Sequence, residues 1–166
     1  MRVAGGAGST TWQPEGTWIV GSPQPPTNVS VTPGSGSGSS QVFTATYSDA
    51  QGFADISEAM FMVANDSGGV GGCFARWLPA TNAFYLGNDA ATGWMGPILG
   101  GSGNTLQNSQ CTLSGTASSG SGSGNTLTVR FALSFAGGFG GTMNTYLRVS
   151  GSAGSTNWQP FGTWIP

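Results

Sequence analysis

Acyl transfer or hydrolysis at a Ser or Cys nucleophile needs a base beside it, and this chain of 166 residues carries neither His nor Lys. Oxygen and aromatic carbon are what remain for chemistry. Asp49, Asp55 and Glu58 lie within ten positions of one another. Such carboxylates could form an acid/base couple or offer oxygens to a calcium ion. Their spacing does not match an EF-hand loop. The segment YSDAQGFADIS reads better as a strand end followed by an Asx-type turn, with Asp49 capping backbone amides. Asp66 and Asp89, each preceded by Asn, are further loop oxygens. The turn role is preferred over calcium, and no enzyme activity, cofactor or dedicated metal site is expected.

Aromatic residues offer a second kind of site. Sugar-binding surfaces are often flat ring platforms edged by amides and hydroxyls, and Trp77, Tyr85 and Trp94 sit among Asn82, Asn88 and Asp89. The competing reading, preferred here, places these rings in the hydrophobic core or at a closed end of the fold.

Charge narrows the field further. Charged residues are 6% of the chain, against about 25% in ordinary soluble domains. Four Arg are the whole basic inventory, which gives no footprint for nucleic acid or an anionic membrane. Low charge can mark disorder, but nine Phe, six Trp and three Tyr argue for a folded core. An uncharged surface also has little repulsion to keep copies apart. No apolar run approaches the ~20 residues of a membrane span, and no signal core is recognisable. Cys73 and Cys111 are the two cysteines. Without His they fit a disulfide better than zinc, the alternative being two buried thiols. A bridge would close a loop of about 39 residues, worth at most about 4 kcal/mol, and would imply an extracytoplasmic location.

The elements that must carry these residues read as strands. In Thr126–Phe135, Leu127, Val129, Phe131, Leu133 and Phe135 alternate with smaller or polar residues, the period of a half-buried strand. Val42–Ser48, Asn28–Thr32 and Thr142–Val149 repeat the pattern, and Gln110–Leu113 is a short strand. Cys73–Leu78 and Ala83–Leu86 predict a hairpin turning at Pro79–Asn82. DISEAMFMVA, over Asp55–Ala64, has helix formers but is read as a buried strand. The Gly/Ser clusters Gly34–Ser40, Gly100–Gly103, Ser118–Gly124 and Gly137–Gly141 are expected as hairpin or edge loops. Together these predict an all-β, immunoglobulin-like antiparallel sandwich with an inserted hairpin and a long connection over Gly87–Ser109.

The chain also repeats itself. MRVAGGAGSTTWQPEGTWIV at residues 1–20 returns as LRVSGSAGSTNWQPFGTWIP at residues 147–166, with fourteen of twenty positions identical at an offset of 146. Met1 matches Leu147 and reads as an ordinary apolar position, so a leader could lie upstream. Three segments follow: 1–20, joining a neighbouring unit; the Pro-rich hinge 21–26; and the sandwich 27–166. Met1, Val3, Trp12 and Trp18 are the expected joining residues. The sequons Asn28-Val-Ser30 and Asn65-Asp-Ser67 are candidate glycan acceptors.

Several stretches resemble a known repeat. PPTNVSVTPGSGSGSSQVFTATYSDAQGFADIS, TNAFYLGNDAATGWMGPI, GNTLQNSQCTLSG and WQPFGTWIP are similar to an immunoglobulin-like unit of roughly 145 residues, found in tandem in large secreted bacterial proteins. The resemblance covers nearly all of residues 24–166. It implies a Cys73–Cys111 disulfide, tandem arrangement, an extracellular or cell-surface setting and no catalytic residue. The expectation is a structural module assembling head to tail with copies of itself into a fibre or stalk. A carbohydrate- or partner-binding adhesion module is the alternative.

Overall fold

The computed structural model describes residues 4–6, 8–9, 16–17 and 21–166. Met1, Val3, Trp12 and Trp18 lie outside the described residues. Twelve strands form the body: β1 (Thr27–Thr32), β2 (Ser40–Ser48), β3 (Ile56–Ala64), β4 (Cys73–Leu78), β5 (Ala83–Gly87), β6 (Trp94–Leu99), β7 (Thr105–Gln107), β8 (Cys111–Ser114), β9 (Ser119–Ser123), β10 (Thr126–Phe135), β11 (Met143–Gly151) and β12 (Gln159–Ile165). One sheet runs β7-β8-β10-β2-β1, with β9 also on β10; the other runs β12-β11-β3-β4-β5-β6. They face each other as an all-β, immunoglobulin-like sandwich. The pair Gly36–Ser37 runs parallel to β12 at Trp164–Ile165, so the chain crosses from one sheet to the other just after β1. The long connection predicted after β5 carries two of the strands, β6 and β7.

The alternating residues of β10 behave as the sequence predicts. Leu127, Val129, Phe131 and Leu133 are buried against the opposite sheet, and β10 pairs with β2 from Thr126↔Ser48 to Ser134↔Ser40. β3 is a strand and not a helix, with a single 3-10 turn, Phe53–Asp55, before it. Its missing alternation has a physical cause. Ala59, Phe61 and Val63 join the inter-sheet core, while Met62 and Ala64 lie in a second apolar cluster on the outer face. A strand covered on both faces reads as a continuous apolar run.

Rings link the layers. Phe43 stands 4.6 Å from Phe61 and 5.0 Å from Trp164, and Phe131 lies 5.7 Å from Phe61 and 5.8 Å from Phe84. Each such ring stabilises by about 1.5–3 kcal/mol through burial alone. Tyr47 is fully buried among them, its hydroxyl donating to the Met60 carbonyl at 2.7 Å, and burial holds its phenol well above the ordinary range. The Cys73–Cys111 disulfide joins β4 to β8 across the layers. Asn108 braces that junction: its Nδ2 donates to the Gly72 and Gly87 carbonyls and its Oδ1 accepts from the Gln110 and Cys111 amides.

The Ser118–Gly124 cluster corrects the loop expectation. Ser119–Ser123 is a strand in register with β10, from Ser119↔Arg130 to Ser123↔Thr126. A Cβ at Gly120 would overlap the Trp77 ring, and one at Gly122 would overlap the Phe53 ring. Glycine stands there because the rings of the facing layer lie against the backbone. Gly120→Ala is expected to cost about 1–3 kcal/mol through overpacking, read as a lower urea midpoint with an unchanged slope. Reduction of Cys73–Cys111 is expected to lower stability by at most about 4 kcal/mol, seen in thermal melts with and without dithiothreitol.

Candidate functional site

The outer face of the larger sheet carries a recess lined by aromatic, methionine and arginine side chains. Strand register sets one transverse row: Arg148 on β11 is opposite Met60 on β3, Met60 opposite Arg76 on β4, and Arg76 opposite Tyr85 on β5. The next row runs Tyr146, Met62 and Phe74. Period two puts all of these side chains on one face. Trp158, just before β12, and Trp94 on β6 flank them, packed on the cluster of Met62, Ala64, Phe74 and Tyr146. Loop residues Gly68–Gly69 and Ala91–Gly93, which adjoin each other, complete the lining of a cavity of about 360 Å³.

Its electrostatics are uneven. The Arg76 guanidinium lies 4.4 Å from the Tyr85 ring centre and 4.5 Å from that of Trp94, and its Nη1 donates to Glu58 Oε1 at 3.3 Å. Its Nε is buried without a hydrogen-bond partner. Arg148 donates through Nε to the Thr156 carbonyl at 3.3 Å, and no carboxylate pairs with it among the described residues.

The three rings proposed from sequence as a platform are divided by the strand pleat. Trp77 points inward, 5% exposed, with Nε1 donating to Asn82 Oδ1. Tyr85 and Trp94 face outward onto Arg76. The partner of Trp94 at the cavity is Trp158, which sequence reading assigned to the terminal motif alone. Its β11 neighbour Arg148 was overlooked because nothing in the sequence places Trp158 beside it. The second ring of that motif, Trp164, is 3% exposed and caps the core, its Nε1 donating to the Gly38 carbonyl.

The carboxylates divide as well. Glu58 sits on the cavity face with Arg76, whereas Asp49 and Asp55 meet at the end of the sandwich beside Gly151. Asp49 is 1% exposed, and its Oδ1 accepts from the Gln51 amide at 2.8 Å, the Asx turn predicted. Asp55 Oδ2 accepts from the Ser152 hydroxyl at 2.8 Å and the Ser152 amide at 3.0 Å, and those bonds hold its carboxyl below the usual range. Asp89 is likewise lowered, by the Ser109 hydroxyl and amide. Asp66 Oδ1 caps the Gly68 amide. Among the described residues no group of three or more potential metal ligands converges. Asn28 spends its amide on Thr156, Gln159 and the Leu147 carbonyl, a poor posture for a glycan acceptor.

Comparison with known proteins finds no matching family, no matching curated protein and no matching solved structure.

Because the Asp55 carboxyl is lowered in the fold, its contribution is present above the unfolded value of about 3.9 and is lost as pH falls through the folded value. Urea midpoints of Asp55→Asn should therefore lie below the parent at pH 5–7 and converge with it as pH drops below about 4.

Proposed function

We propose that this chain is a unit of an extracellular head-to-tail array, in which residues 1–20 belong to the sandwich preceding the one formed by residues 27–166. One observation carries the reading. Ala4 pairs with Ser9 and Gly5 with Gly8, while Ser150 pairs with Ser155 and Gly151 with Gly154. Both pairings coincide at the 146-residue offset, so the N-terminal copy makes the same turn, in the same register, as the one between β11 and β12. Within 27–166 that position beside β3 is already filled by β11, and β12 already lies beside β11. The duplicate therefore fits a neighbour's sheet, and continuation of one chain accounts for it more simply than strand exchange.

Geometry at the two ends supports the same arrangement. The chain enters at Thr27, opposite Ser48, where β10 begins and β11 ends. It leaves at Ile165, whose carbonyl accepts from the Gly38 amide at the other end of the sandwich. A nine-residue strand such as β2 spans about 30 Å between those ends. Units joined this way extend along a line. The hinge is partly held by the body it precedes. Pro26 is buried, Pro25 lies against Gly154, and the Gln51 side-chain amide, turned with its nitrogen toward the Gln24 carbonyl and its oxygen toward the Gln24 N–H, bonds both backbone groups of Gln24. The direction in which one unit leaves the next is thus restrained.

A buried disulfide accords with the extracellular setting, and no helix among the described residues is long and apolar enough to cross a membrane. The resemblance to tandem units of secreted bacterial proteins points the same way.

Deleting residues 1–20 should leave the melting temperature and monomeric sedimentation of the remaining chain unchanged. A chain carrying two sandwiches through the 21–26 hinge should scatter X-rays as a particle with nearly double the longest dimension. A large loss of stability on deletion, or a two-unit chain that folds into a compact globule, would contradict the reading.

A further inference from the structure

We infer that the outer-face cavity between Trp94 and Trp158 is a binding site for a carboxylate-bearing sugar, with Arg148 receiving the carboxylate. The chain has four Arg and no Lys, yet two of those Arg, Arg76 and Arg148, line this single recess. They are not equivalent. Arg76 is held between two rings and paired with Glu58. Arg148 spends only its Nε, on the Thr156 carbonyl, and no carboxylate meets it among the described residues. A guanidinium fixed through Nε presents its two terminal nitrogens as a fork, the geometry that grips a carboxylate through two parallel bonds. Half-burial beside indole and thioether groups reduces the water that competes for it. With Glu58 of the same recess held by Arg76, a second cation kept there outside ion-pair contact is the complement of an anionic ligand.

The rest of the recess selects what carries that anion. About 360 Å³ far exceeds what a lone carboxylate fills and suits a small ligand. Met60 and Met62 form an adaptable floor, and Trp94 and Trp158 flank it. Indoles stack on the apolar C–H face of a pyranose ring and bury large area. Glu58, whose Oε1 meets Arg76, and the Thr92 hydroxyl, which accepts from Asn88, stand among the lining groups and can also meet ring hydroxyls. An extended acidic peptide fits less well, because the strands beneath are already paired on both sides and offer it no free edge. Arg2 and Trp12 repeat Arg148 and Trp158 at the same offset. In a tandem array, an arrangement that rests on the proposed function, each unit would carry the pair and weak sites would add through multivalency. The single site does not depend on that reading.

The test uses the full chain, titrated with sodium glucuronate and N-acetylneuraminate, followed by tryptophan fluorescence and calorimetry. Glucose, N-acetylglucosamine, acetate and a tetraglutamate peptide serve as comparisons. Saturable binding of at least one acidic sugar is expected, with neutral sugars and acetate at least tenfold weaker. Arg148→Gln should weaken binding at least tenfold, and Arg148→Lys, which keeps the charge but loses the fork, should weaken it by a smaller factor. Arg130→Gln, on the exposed face of the other sheet, should leave binding unchanged. Circular dichroism and melting temperature verify that each variant folds; if Arg148→Gln does not, Arg148→Lys and a Trp158→Phe variant carry the comparison. The inference is overturned if neither acidic sugar saturates, if neutral sugars, acetate or the peptide bind as tightly, or if the Arg148 variants bind like the parent.

Discussion

Close approach of the two sheets through their aromatic rings is the constraint from which the other features follow. Phe43, Phe61, Phe131 and Phe84 form a continuous set of ring contacts through the middle of the sandwich, with Trp77 and Trp164 toward its ends. Among the described residues the ion pair is the half-buried Arg76–Glu58, and cohesion rests mainly on ring burial and the backbone ladders. Where a ring lies against the facing backbone there is no room for a side chain, hence glycine at positions 120 and 122 and at Gly36 beneath Trp164. At these three positions glycine is therefore a consequence of packing and not of flexibility.

That constraint also explains what the sequence disclosed and what it concealed. The alternation in Thr126–Phe135 was legible because one face meets the core and the other carries small or polar side chains, and in β11 because Asn144, Arg148 and Ser150 mark the face turned from the core. The SGSGS strand was concealed, since its structural partners, Trp77 and Phe53, are distant in sequence and glycine carries no pattern of its own. β3 was ambiguous because methionines under the outer cluster filled the positions where polar residues would mark an exposed face. Cys73 and Cys111 could be paired because no other cysteine competes, and Asp49 was legible as a local turn former. The cavity was not: Arg148, Arg76, Trp94 and Trp158 come from four separate strands or their margins, and only strand register brings them together.

The terminal duplication acquires a division of labour. In WQPFGTW the first ring, Trp158, turns outward to the cavity, and the second, Trp164, seals the core beside Gly36 and Gly38. One short motif thus completes both faces of its sheet, a physical reason for it to recur wherever a sandwich of this kind ends. The near absence of charge would suit the proposed array, because neighbouring units would meet without repulsion.

The most direct measurement is electron microscopy of the native material at a resolution that places residues 1–20. The account predicts that they form the last two strands of a second sandwich upstream, with the 21–26 hinge leading along a line into the unit described here. Residues 1–20 lying against the sheets of their own unit, with no sandwich before them, would contradict it.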